Sequence, residues 1–302
     1  MSTFSQELVG CEKAVIRFDV IGGPARTTLV EDDTFLNYRL GDVKVRDEIT
    51  KDKADIIWNA DAEVKAIKYE DHQLILDGKW EEGELNKIMV TMLANEMDRV
   101  GLHPMHSSSV IYRGKMVLLV GGENNHGKTM SQLAACARGA LTFSTETTVA
   151  DPTGLCIYGS KNTFITKRAK GTERSDLGNQ DEGVAKFFDK EPEQGMAYDP
   201  TRIDIAILPC IDGWFDTKIT KVGQFEAAYQ TFHSLMNFFG MNQLLSGEDG
   251  LVMPVVDEAD RREVRGKFAA DLMKDVPFYM MRAKTPQLIL DELDKIIDEM
   301  DK

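Results

Sequence analysis

Residues 122–129 constrain the fold more than any other segment of this 302-residue chain. They match the pattern G-x-x-x-x-G-K-[ST] at every fixed position, directly after the apolar run Met116–Val120. Such a loop wraps a polyphosphate with inward-facing backbone N–H groups, and its glycines occupy positions of close approach or positive φ. Because it operates between a buried strand and a helix, the segment predicts an α/β fold. A plain glycine turn is the alternative, but it does not explain why Lys128 and Thr129 follow directly.

Each residue of the loop has an expected role in holding a nucleotide. The pattern predicts ATP or another nucleoside triphosphate, bound together with Mg²⁺. Lys128 is expected to reach the β- and γ-phosphates, and the Thr129 hydroxyl to ligate the metal. Glu123 is expected to face outward because an inward carboxylate would repel the phosphates, whereas His126 either donates to a phosphate or caps the loop. The expected nucleotide-binding residues are Gly122, Glu123, Asn124, Asn125, His126, Gly127, Lys128 and Thr129.

The composition disfavours several classes of protein. The formal net charge of −14 argues against a broad nucleic-acid surface or an anionic membrane surface, because both require clustered Lys and Arg. No apolar run is long enough for a transmembrane helix, and the first residues lack the basic and apolar regions of a secretory signal. The four cysteines form no C-x-x-C pair and suit a reducing compartment. We therefore expect a cytoplasmic protein with no nucleic-acid or membrane partner.

The first hundred residues are expected to form a β-rich region that ends in a helix. Strand candidates lie at residues 14–21, 56–58, 64–67 and 73–76, and the last of them stops at the turn dipeptide Asp77-Gly78. Over residues 82–100 the apolar side chains recur at helical spacing, and Gly101 is a plausible stop. The boundary between this region and the nucleotide-binding domain is therefore expected near residue 100, with the domain occupying residues 101–302.

Alternating strands and helices are predicted around the loop. Strands at 108–112 and 116–120 flank a tight turn at residues 113–115. A helix is predicted over 128–138, and further segments follow: a strand at 140–144, a buried strand at 203–209 and helices at 225–245 and 286–301. Residues 163–200 form a long polar excursion, a composition that functional lids and disordered segments share.

Three stretches around the loop resemble one known family. Residues 102–115, the loop itself and residues 138–147 are similar to the HPr kinase/phosphorylase family, which belongs to the phosphoenolpyruvate carboxykinase-like P-loop fold. The shared pattern is a His, small residues and a strand, then a turn, an apolar strand and the loop, and finally a helix ending in Arg-Gly and a strand ending in acids. The resemblance covers about residues 100–152 and implies a P-loop kinase core with a β-rich N-terminal region.

The resemblance also implies roles for individual residues. It places His106 beside the γ-phosphate, and Lys128 and Thr129 take the phosphate and Mg²⁺ roles. Glu146 stands at the second acid of the family's acidic pair, which can hold Mg²⁺ or accept the proton of a substrate hydroxyl. Thr145 stands where the family has the first acid. The kinases of this family assemble as homo-oligomers, so the resemblance implies a homo-oligomer here too.

These features lead to a kinase hypothesis with two alternatives. The γ-phosphoryl group of ATP is expected to pass to a hydroxyl of a small molecule or to a Ser of a protein or peptide. Because Thr145 replaces an acid, a nucleotide-binding regulatory or assembly protein without phosphoryl transfer remains open. An ATP hydrolase that drives another process is the third hypothesis.

Other groups of residues have two interpretations each. His103 and His106 have a spacing that a metal pair can use, but Pro104 intervenes and no third ligand is evident. Asp151 is either a further metal-binding acid or part of a turn before Pro152. The basic cluster at residues 167–170 either clamps phosphates or is solvated, and a solvated helical face is expected from Arg261, Arg262, Arg265 and Lys267.

Overall fold

A computed structural model describes residues 4–11, 13–24, 29–30, 33–121, 126–162, 195–211, 216–239, 244–246 and 250–302. Within these residues the chain is mixed α/β, with two mixed sheets, a two-stranded ribbon and six α-helices. Contacts divide the chain into two compact units. The first comprises Met1–Pro104 and Leu235–Arg265, and the second comprises Met105–Ser234 and Gly266–Lys302.

In chain order, the strands are β1 (Phe4–Gly10), β2 (Val15–Ile21), β3 (Lys44–Arg46), β4 (Ile56–Asn59), β5 (Ala66–Glu70), β6 (Gln73–Asp77), β7 (His103–Tyr112), β8 (Lys115–Val120), β9 (Leu141–Ser144), β10 (Thr147–Ala150), β11 (Leu155–Gly159), β12 (Thr201–Arg202), β13 (Ile205–Ile211), β14 (Lys218–Lys221), β15 (Leu244–Ser246), β16 (Leu251–Val252) and β17 (Phe278–Ala283). The helices are α1 (Thr34–Arg39), α2 (Glu82–Arg99), α3 (Lys128–Ala137), α4 (Gln224–Met236), α5 (Ala259–Leu272) and α6 (Pro286–Met300), with a 3₁₀ turn at Asn237–Phe239.

The first unit contains a six-stranded sheet in the order β3-β1-β2-β4-β6-β5. Strands β2, β4 and β6 are parallel neighbours, and the other pairs are antiparallel. Ile56 and Trp58 are buried on one face of β4 while Ile57 between them is half-buried, which is the period of two expected for a strand. The helix predicted over 82–100 is confirmed as α2, and Gly101 after it has a φ of +82°.

Arg265 contradicts the expectation of a solvated charged face on α5. Its side chain is fully buried, and its guanidinium lies 2.9 Å from the Asp98 carboxylate, pairs with Asp257 and stacks over the ring of Phe239. A buried guanidinium needs carboxylate partners, because an unpaired charge in the interior is costly. The periodicity of α5 alone does not reveal these partners, since Asp98 is 167 residues away in sequence.

The second unit contains a nine-stranded sheet. Its main order is β12-β11-β10-β7-β8-β13-β17-β14, and β9 pairs with β7. Strands β8, β13 and β17 are parallel, as a buried central sheet favours, and the residues on one face of them pack against α3 and α6. The turn between β7 and β8 has positive φ at Arg113 and Gly114, which confirms the tight hairpin predicted there.

Several helix and strand predictions need adjustment in this part of the chain. The helix predicted over 225–245 ends at Met236, because Asn237–Phe239 form a 3₁₀ turn in which Phe238 and Phe239 are buried in the core. Strand β7 begins at His103 and accommodates Pro104 as its second residue, so it is longer than predicted. None of the helices formed by the described residues is long and apolar enough to cross a membrane.

Candidate functional site

The predicted phosphate loop lies between β8 and α3, in the strand–loop–helix order that the sequence predicts. Gly122, Glu123, Asn124 and Asn125 lie outside the described residues, so the structure describes the loop at its two ends. The first end is Gly121, which follows the last residue of β8. The second end is His126 and Gly127, whose neighbour Lys128 begins α3. The N–H of Ile211, at the end of β13, donates to the His126 carbonyl at 3.2 Å and anchors this second end.

Glycine is required at Gly127 for two independent reasons. Its φ is +103°, a left-handed conformation that residues with a Cβ rarely adopt. A Cβ at this position would also lie 2.7 Å from Cδ1 of Ile211. The same holds at Gly121, where φ is +155° and a Cβ would lie 2.7 Å from Cδ1 of Leu208. At both ends of the loop the backbone therefore packs against β13 so closely that a Cβ atom would clash.

Lys128 is buried at the start of α3, with 7% of its surface exposed. Its ammonium group donates to the Gly121 carbonyl at 2.9 Å, so it reaches back across the loop to the end of β8. A buried lysine is rare in proteins because desolvation penalises its charge. This placement gives the loop a fixed positive charge near its base, which is the charge that a polyphosphate needs.

The N-terminus of α3 adds a second favourable feature for an anion. The Ser131 N–H donates to the Gly127 carbonyl at 2.9 Å as the first hydrogen bond of the helix. The N–H groups of the preceding turn consequently have no acceptor within the helix, and the helix dipole adds positive potential there. Thr129 is the half-buried second residue of this turn, the position from which its hydroxyl is expected to ligate Mg²⁺.

The side chains of His106 and Glu146 lie close together in the second unit. Nδ1 of His106 lies 3.2 Å from Oε1 of Glu146. His106 belongs to β7 and its side chain is 2% exposed, whereas Glu146 lies in the turn between β9 and β10 and is 12% exposed. The carboxylate is therefore the member of the pair that solvent reaches. The imidazole is the more deeply buried of the two groups.

The sheet brings this pair to the end of β8 from which the loop departs. Ser107, next to His106, is paired with Val120 in the antiparallel register of β7 and β8. The Ser107 N–H donates to the Glu146 carbonyl at 3.0 Å, so the turn that carries Glu146 adjoins the same end of β7. Strand pairing thus brings together three sequence-predicted features: the start of the loop, His106 and Glu146.

The Thr145 side chain is hydrogen-bonded to neighbouring groups of the second unit. Its hydroxyl oxygen lies 2.5 Å from the Asn162 carbonyl and 3.1 Å from the Ser160 hydroxyl. It is buried, with 3% of its surface exposed. The Thr145 hydroxyl is consequently engaged with Ser160, which follows β11, and with Asn162.

The remaining predicted groups have separate surroundings. The Asp151 carboxylate accepts from the Thr153 hydroxyl and from the N–H groups of Thr153 and Leu155, which is the turn interpretation. His103 lies 3.4 Å from Asp98, a different partner from that of His106. In the part of the chain that the structure describes, no group of three or more His, Cys, Asp and Glu side chains is arranged to hold a metal. The basic cluster at 167–170 lies outside the described residues.

Comparison with known proteins gives no assignment for this chain. No protein-family model and no curated protein matches it.

Ser160 is a site residue that the sequence did not indicate. Its hydroxyl oxygen accepts from the N–H groups of Glu146 and Thr147, each at 2.9 Å. It follows β11 directly and is fully buried. No motif marks this position, since a single Ser after a strand has no distinguishing pattern. Only the pairing of β10 with β11 brings it to the turn that carries Glu146.

Proposed function

We propose that this protein is a Mg²⁺-dependent kinase that transfers the γ-phosphoryl group of ATP to a hydroxyl group of a small molecule or of a protein Ser. The observation that carries the proposal is the position of Lys128. Its buried ammonium group spans the loop to Gly121, between two positive-φ glycines and at the N-terminus of a helix. A triphosphate fits this combination because its charge matches the lysine and the helix end, and its oxygens match backbone N–H groups.

Glu146 supports transfer rather than binding alone. Its carboxylate is the accessible member of the pair with His106 and adjoins the strand end where the loop starts. In the proposed reaction the acceptor oxygen forms the new bond to Pγ, and the bond from Pγ to the β–γ bridging oxygen breaks. The acceptor's proton passes to Glu146. Lys128 stabilises the charge that develops on the phosphate oxygens.

Thr129 and Glu146 are the residues that would hold Mg²⁺. Mg²⁺ commonly keeps several waters and takes few protein ligands, so a hydroxyl and one carboxylate are a sufficient set. When bound with the triphosphate, the metal neutralises charge on the β- and γ-phosphates.

A nucleotide-binding protein without transfer is the second candidate, and Thr145 favours it. The Thr145 hydroxyl contacts the Asn162 carbonyl and the Ser160 hydroxyl, so position 145 supplies no carboxylate to a substrate. A kinase of this type would consequently depend on Glu146 alone as its acid–base group. The two candidates differ in whether phosphate leaves ATP, which is directly measurable.

The test measures ATP binding by calorimetry and phosphate transfer with γ-labelled ATP, with Mg²⁺ and a panel of hydroxyl-bearing acceptors. We expect Lys128→Ala to weaken ATP binding by roughly 10- to 100-fold, because a charge-assisted hydrogen bond is lost. Lys115→Ala is the matched control, since Lys115 pairs with Asp301 at the start of β8 and should leave ATP affinity unchanged. Tight binding without transfer to any acceptor would favour the regulatory candidate, and release of inorganic phosphate alone would favour a hydrolase.

A further inference from the structure

We propose that Ser160 is a positioning residue that fixes the orientation of Glu146. We further propose that Thr145 supports Ser160 through its hydroxyl instead of acting as an acid. The inference rests on the proposed function, because it concerns the carboxylate assigned to transfer. It adds a residue that no part of the phosphate-loop pattern contains, and it explains the substitution of the first acid by a hydroxyl.

Two consecutive backbone groups converge on the Ser160 hydroxyl. The N–H groups of Glu146 and Thr147 both donate to its oxygen, each at 2.9 Å. An oxygen that accepts from adjacent N–H groups fixes the orientation of both peptide planes, and therefore the direction in which the Glu146 side chain leaves the backbone. The Ser107 N–H donates to the Glu146 carbonyl from the opposite strand at 3.0 Å. The Glu146 backbone is thus held by β7 on one side and by Ser160 on the other.

The Thr145 hydroxyl completes the hydrogen bonding of Ser160. With its oxygen accepting two N–H groups, the Ser160 hydroxyl has one proton left, and the Thr145 oxygen lies 3.1 Å away to accept it. The Thr145 proton is then donated to a carbonyl, with the Asn162 oxygen at 2.5 Å and the Ser160 oxygen at 3.1 Å from the hydroxyl. This chain satisfies every donor and acceptor only if residue 145 both accepts and donates. An ionised carboxylate at position 145 could not donate a hydrogen bond to the Asn162 carbonyl.

The two hydroxyls account for the identities of Thr145 and Ser160, which lie next to each other at the ends of their strands. Thr145 and Ser160 are both buried, so the bonds between them are shielded from water and an unmade bond would be costly. The Thr145 N–H also donates to the Ser160 carbonyl at 2.9 Å, which holds the backbones of the two residues together. Ser160 contacts the backbone of Glu146 and not its carboxylate, so its role is to position the acid.

The test compares variants that break this chain with variants that keep it. Ser160→Ala removes the acceptor, and Thr145→Val removes the connecting hydroxyl with little change of shape, whereas Thr145→Ser keeps the hydroxyl. Ser109→Ala is the matched control, because Ser109 is an equally buried hydroxyl of β7 that bonds Ser144 and Thr148. We expect Ser160→Ala and Thr145→Val to lower kcat by roughly 10- to 100-fold with KM for ATP within about twofold. Thr145→Ser and Ser109→Ala are expected to retain kcat.

A second readout does not require turnover. In protein labelled with ¹⁵N-histidine, we expect a protected Nδ1–H resonance from His106, because a carboxylate oxygen lies 3.2 Å from that nitrogen. The signal is assigned by its absence from His106→Gln. It should be lost in Ser160→Ala and kept in Ser109→Ala, while the signals of His103 serve as an internal reference.

The two readouts distinguish failure of the inference from failure of the proposed function. Unchanged kcat and an unchanged His106 resonance in Ser160→Ala would overturn the positioning role. If the native protein transfers no phosphate, the kinase proposal fails, and the resonance alone decides whether Ser160 holds Glu146 in place. A Thr145→Ser variant that loses activity as fully as Thr145→Val would overturn the role assigned to the hydroxyl chain.

Discussion

Nδ1 of His106 and Oε1 of Glu146 are 3.2 Å apart, although His106 belongs to β7 and Glu146 to the turn between β9 and β10. The Ser234 hydroxyl donates to the His106 carbonyl at 2.8 Å, and the Ser107 N–H donates to the Glu146 carbonyl at 3.0 Å. The backbone of each partner is therefore held by a separate hydrogen bond. The two side chains therefore extend from backbone segments that are fixed independently of each other.

Replacing Glu146 should separate binding from transfer. Glu146→Gln keeps the size of the side chain but removes the charge and most of the basicity. We expect kcat to fall by roughly 10²- to 10⁴-fold, the usual contribution of a general base, while ATP affinity stays within about threefold. Steady-state transfer assays and calorimetry on the same preparation measure both quantities. If ATP affinity falls as strongly as kcat, Glu146 acts mainly in holding the nucleotide and its metal.

Gly127→Ala should damage the loop more than an equivalent change at the other end of α3. Gly127 has a φ of +103°, and a Cβ there would lie 2.7 Å from Cδ1 of Ile211. Gly139 has a φ of +92°, but no atom of the described residues lies within 4 Å of its Cβ position, so Gly139→Ala is the control for conformational strain alone. We expect Gly139→Ala to cost about 1–2 kcal/mol in urea unfolding. Gly127→Ala should cost more and abolish ATP binding, and equal costs would refute the steric explanation.

Arg265→Met should destabilise the first unit strongly. The substitution leaves the Asp98 and Asp257 carboxylates buried without the guanidinium that pairs with both. We expect a loss of about 3–5 kcal/mol in the free energy of unfolding at pH 7. Arg265→Lys should recover only part of it, because one ammonium cannot match the forked geometry of a guanidinium.

The effect of Arg265→Met should also depend on pH. Burial raises the pKa of Asp98, but hydrogen bonds from His103 and Arg261 and the charge of Arg265 outweigh it and hold the pKa below its ordinary value. A lowered pKa contributes stability that is complete above the ordinary Asp value of about 3.9 and is lost as the pH falls through the folded-state pKa. The difference between native protein and variant should therefore be constant from neutral pH to about pH 5 and shrink below about pH 4. A constant difference at acid pH would argue against this carboxylate as its source.

Lys161 gives a prediction for the alkaline range, where stability should again rise with pH. Burial lowers the pKa of Lys161 to about 8. Its ammonium group donates to the carbonyls of Phe143 and Ala197 and lies 4.9 Å from the ring centroids of Phe143 and Tyr198. Because the unfolded chain binds this proton more tightly, stability relative to Lys161→Met should rise with pH from about 8 towards the ordinary lysine value of about 10.4.

Urea unfolding of both proteins between pH 7 and pH 10 measures this trend. Lys295→Met is the matched control, because the hydrogen bond that Lys295 donates to Glu292 raises the pKa of Lys295. Stability relative to this variant should therefore not rise with pH. A falling difference for Lys161 would mean that its carbonyl and ring contacts outweigh the effect of burial.

Local sequence patterns were sufficient to predict the strand and the helix on either side of the candidate site. The apolar run before residue 122, the Gly-Lys-Thr triplet and the helical spacing after it predicted β8, the loop and α3, and the structure has the strand and the helix in that order. The hairpin at residues 113–114 and the helices α2 and α6 were also predicted from local sequence patterns. Each of these elements is specified by neighbours within a few residues, through turn chemistry and the period of apolar side chains.

The tertiary structure alone decided which distant side chains share a site. Ser160 reaches the Glu146 N–H across 14 residues, and Arg265 reaches Asp98 across 167 residues, with no local pattern that marks either position. The end of α4 at Met236 likewise depends on where Phe238 and Phe239 are buried, since their spacing also suits a longer helix. Strand register and burial select these partners, because an unsatisfied donor or charge is costly only once the rest of the chain has excluded water from it.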